Sequence, residues 1–230
     1  MALLEIACFN PESVKIACEA GADRIELCDD RPSGGITPSS DIVAAASSLC
    51  RQHDIPLFVM IRPRGGDFVY SLAEYSQMVA DLAKHKPLVD GFVFGILTTD
   101  PHEDFIVDVF RTRNLVAAAH PLPCTFHRAF DEVTHMSAAL EDVCRAGCTS
   151  VLTSGGASTA MEGMGVLKHL VSRAEGRLEI IAGGGLRSSN VAQIMATTCV
   201  KTLHSSAVLN NSDLADAAEI AALRSAMGST

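Results

Sequence analysis

Short apolar runs alternate with helix-like segments eight times in 230 residues, about 29 residues per unit, and few architectures accept that rhythm. Strand-like runs fall at residues 3–8, 22–28, 57–62, 91–97, 123–128, 149–153, 178–182 and 200–204. Helix-start signals separate them: Asn10-Pro11, Thr37-Pro38, Ser71 with Glu74, Asp100-Pro101 and Ser188. Helices are predicted from Pro11 to a stop at Gly21, over 37–53, 71–86, 100–119, 136–147 and 158–174, after Ser188, and over 213–227. Strict alternation implies a parallel sheet with right-handed crossovers. Eight such units, with no spare segment, predict an α/β fold: one closed (β/α)8 barrel of the TIM type spanning 1–230. An open doubly wound sheet would show Gly-x-Gly-x-x-Gly after the first strand, and Cys8-Phe9-Asn10-Pro11 is not that.

Charge narrows the partners. The net charge of −9 argues against nucleic acid and against anionic membrane surfaces. No apolar run approaches the roughly 20 residues of a membrane span. The first strand starts at Leu3 with no basic leader, so a cytoplasmic place is expected, with the nucleus also compatible. Eight cysteines lie in a chain of this size, most inside apolar strands or helices, and are expected as reduced thiols. A homo-oligomer is compatible with everything in the sequence.

Alternation along strands sorts the two faces. Ile25 and Leu27 turn toward the helices, leaving Arg24, Glu26 and Cys28 inward. By the same count Glu5, Ala7, Arg62, Thr125, His127, Thr153 and His204 point inward, while Cys8 counts outward. So many buried ionisable groups must pair with one another or reach solvent. Glu5 and Arg24 suit a structural ion-pair layer. Glu26, Arg62, His127, Thr153 and His204 end their strands, with Arg64 and Asp131 just beyond, where barrel enzymes place their chemistry.

Three chemistries are open to this set. Glycine-rich turns before helices suit an anion or phosphate, with Arg62, Arg64, Ser154, Gly155, Gly183, Gly184, Gly185, His204 and Ser205 as candidate contacts. His127, tuned by Glu26 or Glu5 and joined by Asp131, could exchange a proton while Arg62 holds a substrate carboxylate or phosphate. No lysine stands at an inward strand end, which argues against Schiff-base chemistry. Cys8 and Cys28 end adjacent strands about 5 Å apart, a spacing suited to a soft cation such as Cu(I). A structural zinc site is not indicated, since no Cys-x-x-Cys occurs.

Several stretches together are specific. Gly21-Ala22-Asp23-Arg24-Ile25-Glu26-Leu27-Cys28, Gly34-Gly35-Ile36-Thr37-Pro38-Ser39, residues 60–68, Thr125-Phe126-His127-Arg128-Ala129-Phe130-Asp131, Leu152-Thr153-Ser154-Gly155 and His204-Ser205-Ser206-Ala207 resemble the copper homeostasis protein CutC family. The resemblance runs in order from Leu3 to about Ala207. It implies a (β/α)8-type barrel and a link to copper, with Cu(I) on the two cysteines that match Cys8 and Cys28. Binding or trafficking of Cu(I) is therefore the leading expectation. The alternative is a barrel enzyme acting on a small anionic or phosphorylated metabolite. The chain departs from the family pattern after Ala207, where 208–213 reads as a short turn instead of a longer segment.

Overall fold

The computed structural model describes residues 2–209 and 212–228. Its strands are β1 (Leu3–Cys8), β2 (Arg24–Leu27), β3 (Leu57–Met60), β4 (Gly91–Phe94), β5 (Leu97–Thr99), β6 (Phe105–Val107), β7 (Cys124–Phe126), β8 (Ser150–Thr153), β9 (Glu179–Gly183) and β10 (Thr202–Ser205). Eight of them close a parallel barrel in the order β1-β2-β3-β4-β7-β8-β9-β10. The helices are α1 (Pro11–Ala20), α2 (Ser40–His53), α3 (Leu72–His85), α4 (Val109–Ala119), α5 (Met136–Ala146), α6 (Met164–Ala174), α7 (Val191–Thr198) and α8 (Ala217–Ala226).

Register decides what meets inside. Glu5 stands opposite both His204 of β10 and Arg24 of β2, and Ala7 stands opposite Glu26. Paired residues of a parallel sheet share a face, so Glu5, Arg24 and His204 form one interior layer and Glu26 begins the next. The apolar core has two parts. A large one, with Leu4, Ile6, Ile25, Leu27, Val59, Phe92, Phe94 and Phe126, lies between barrel and helices. A small one, Cys28, Phe58, Met60 and Val93 with Phe9 against it, lies inside the barrel. The small interior core leaves the rest of the lumen to polar groups.

Several helix starts follow their sequence signals. Asn10 accepts from the Ser13 amide at 2.8 Å, and Gly21 ends α1 in the left-handed region. Ser71 and Glu74 form the reciprocal capping box of α3. Others do not. No helix starts at Asp100-Pro101: the Asp100 side chain accepts from the His102 and Asp104 amides and turns the chain into the antiparallel β5–β6 hairpin. That hairpin is the spare segment the count of eight units did not allow. Asp108, accepting from the Arg111 amide, caps α4 instead. Thr37 is not a cap either; its hydroxyl bonds the Arg62 backbone, and Ser39 caps α2. Ser188 spends its amide and hydroxyl on Glu219 of α8. The helices expected from 158 and 213 begin later, at Met164 and Ala217. The expected short turn over 208–213 includes Asn210 and Asn211, which lie outside the described residues. Beside them, Val208 bridges Ala215, and the Ser212 and Asp213 carbonyls accept from Arg31 and Asn10.

Candidate functional site

A cavity of about 120 Å³ opens at the carboxyl end of the barrel. Its wall draws on separate strands and loops: Glu26 and Cys28, Met60 and Arg62, His127 and Arg128, Leu152, and His204. A larger groove of about 430 Å³ lies at the opposite end, around Thr149, Leu178 and Lys201. Barrel chemistry sits at the carboxyl ends, and the inward ionisable groups converge there, so the smaller cavity is the candidate.

A chain of ionisable groups runs beneath it. Arg24 Nε donates to Glu5 Oε2 at 2.5 Å, Glu5 Oε1 meets His204 Nδ1 at 2.7 Å, and His204 Nε2 lies 3.6 Å from Glu26 Oε2. Burial alone would raise the Glu5 carboxyl, but the His204 hydrogen bond and the charges of Arg24 and His204 outweigh it, so Glu5 lies below the usual range. Glu26 has less compensation. Burial, with the Glu5 charge added, pushes it up to about 7 against the pull of His204 and Arg24. Burial works against the charged imidazole of His204, but Glu26 and Glu5 prevail and raise it.

His127 is a different kind of group. Its Nδ1 accepts from the Ala129 amide at 3.1 Å, so the neutral ring carries its proton on Nε2. Burial, then the positive charge of Arg62, pushes its pKa down to about 3. Gly95 makes room for the ring: a Cβ there would sit 2.5 Å from Nδ1. Phe68 packs against the same ring, centroids 5.0 Å apart, and lies under the Arg62 guanidinium at 4.7 Å. Arg62 itself donates to the carbonyls of Ser33, Gly35 and Gly66.

The other expected contacts are already engaged. Arg64 donates to Glu74 and Asp67 and to nearby carbonyls, holding its own loop, and is not among the residues lining the cavity. Asp131 takes the Thr153 hydroxyl, the Ser154 and Gly156 amides, the Ser154 hydroxyl and Arg128 Nε. This carboxylate fills the amide nest that the sequence suggested for an external anion. Gly155 donates its amide to Thr153. Ser205 is buried and bonds the Leu186 carbonyl. Gly183 ends β9 beside Leu152, while Gly184 and Gly185 turn the chain at positive φ, with Arg128 beside Gly184.

The two cysteines part company. Cys28 lines the cavity in the small interior core with Met60. Cys8 pairs in register with Leu27 and packs in the outer core, toward the helices. Their backbones touch, the Cys28 amide donating to the Cys8 carbonyl at 2.9 Å. Burial raises both thiols well above their usual pKa, with Cys18 adding to this at Cys8 and Glu26 at Cys28. Among the described residues no three His, Cys, Asp or Glu side chains converge as a metal site. Met60, Phe68 and Arg128 were not anticipated. Counting back by two from Arg62 would have put Met60 and Phe58 inside; Phe68 and Arg128 sit on loops, where alternation says nothing.

Comparison with known proteins agrees with this architecture. A family model described as CutC family matches residues 2–209. A CutC family protein of Chromobacterium violaceum is 44% identical over 206 residues, 89% of this chain and 81% of the relative. The copper homeostasis protein cutC homolog of Homo sapiens is 43% identical, over 89% of this chain and 73% of its own. The crystal structure of the CutC protein from Streptococcus agalactiae superposes with a TM-score of 0.84 at 33% identity, covering 90% of this chain and 99% of that one.

Proposed function

Because the chain belongs to the CutC family, we propose that it serves copper homeostasis by carrying Cu(I) on Cys28 and Cys8. Copper here is cargo. The reading draws on the copper homeostasis name of the human relative and on one observation in this chain. That observation is Cys28, a thiol in the wall of the mouth cavity with the Met60 thioether in the same buried cluster. Thiolate and thioether are donors that favour Cu(I).

In this reading Cys28 receives the ion first. Cys8 joins when the turn after β1 rearranges, since its thiol packs on the helix side. Both thiols are held protonated, so Cu(I) must displace protons and its affinity rises with pH. We place this activity in the cytoplasm, where thiols stay reduced, a setting that suits the free cysteines of this chain.

Anaerobic titration with Cu(I) against a competing chelator tests the proposal. One equivalent should bind, Cys28→Ser should weaken binding most, and Cys8→Ser should weaken it less. Unchanged affinity in the double serine variant would end the copper reading.

A further inference from the structure

Among the described residues, no carboxylate balances the charge of Arg62, which is 5% exposed. Its neighbours are three carbonyls, the Phe68 ring and the Tyr70 hydroxyl, all neutral. A buried ion without a counter-charge costs several kcal/mol. The other buried interior arginine, Arg24, has Glu5.

Unpartnered polar atoms gather in the same place. Among the described residues, eight buried side-chain polar atoms lack a hydrogen-bond partner. Three belong to residues lining the mouth cavity: Arg62 Nε, His127 Nε2 and Glu26 Oε1. Two are donors, because the Ala129 amide on Nδ1 leaves the His127 proton on Nε2. The third is a carboxyl oxygen, able to accept from a hydroxyl. A buried polar atom without a partner costs about 1–3 kcal/mol, so these three call for a partner within the cavity. The cavity, about 120 Å³, has room for several waters or one small molecule. A molecule that size with an anionic end and a hydroxyl would answer all three atoms.

We propose that this cavity binds a small hydroxycarboxylate, its carboxylate against Arg62 and the His127 Nε2–H and its hydroxyl donating to Glu26. The ligand supplies the counter-charge that Arg62 lacks. Phe68, packed under Arg62 and tilted against His127, forms the apolar side of the pocket. The proposal is independent of the copper reading, because it concerns metal-free protein and needs neither cysteine as a ligand.

Calorimetric titration of the metal-free full chain tests it, with glycolate, both lactates and glycerate as probes and acetate and inorganic phosphate as comparisons. At least one hydroxy acid should saturate the protein in the millimolar range or below, and bind about tenfold tighter than acetate. His127→Leu should lose about tenfold or more, while His127→Gln, which keeps an N–H donor, should retain most of the affinity. The wild-type comparison decides even where the leucine variant folds poorly. Acetate or phosphate binding as tightly as every hydroxy acid would overturn the proposal. So would crystals soaked in the probes that show only ordered water bridging Arg62, His127 and Glu26.

Discussion

At the scale of single residues, two carboxyl-end groups respond to burial in opposite ways. Glu26 is held near pKa 7 against an unfolded value of 4.5. Below about pH 4.5 both folded and unfolded chains hold this proton. As pH rises toward 7 the unfolded chain releases it first, so this group makes folding less favourable across that window. His127, lowered from 6.5 to about 3, acts the other way: stability is lost as pH falls between those values, because the unfolded chain takes up the proton first. Denaturant unfolding of metal-free protein should separate the two. Glu26→Gln should gain on wild type by on the order of 2 kcal/mol between pH 4.5 and 7. Parallel stability curves for the two proteins would show that Glu26 does not titrate there.

At the scale of elements, the chain shows which signals survive folding and which compete. Asn10-Pro11 and the Ser71–Glu74 box read correctly because each side chain has one local task, satisfying the first free amides of a helix. Asp100-Pro101 carries the same residue pattern but faces a rival task. An aspartate can equally take two amides within a tight turn, and the following residues can pair as a hairpin. The capping burden of α4 then passes to Asp108. Asp108→Ala should therefore lower stability by about 1 kcal/mol, while Pro101→Ala should stay within about 0.5 kcal/mol. Thermal or urea unfolding measures both, and equal effects would restore the earlier start for that helix. Thr37 and Ser188 were misread for a related reason: each bonds to a distant partner, Arg62 and Glu219, that no local window reveals.

At the scale of the whole molecule, the barrel was legible because strand alternation and register are nearly enough to fix it. Glu5, Arg24 and His204 share a layer as counting by two from Ile25 and Leu27 requires. The site was legible only in part. Groups on strands or at their ends, such as Glu26, His127 and His204, fell where alternation put them. Groups on loops were not: Arg64 is consumed by its own loop, Asp131 by the turn after β8, and Phe68 enters the mouth. Cys8 and Cys28 end neighbouring strands, and, as counting by two along each strand had it, Cys8 looks toward the helices and Cys28 into the mouth.

That division bears most directly on the proposed copper role. X-ray absorption at the copper edge of Cu(I)-loaded protein, wild type beside Cys28→Ser, examines the bonds to the ion itself. Sulfur neighbours in the wild type that diminish in the variant are the predicted result. A spectrum of nitrogen and oxygen neighbours alone, or one the substitution leaves unchanged, would contradict it.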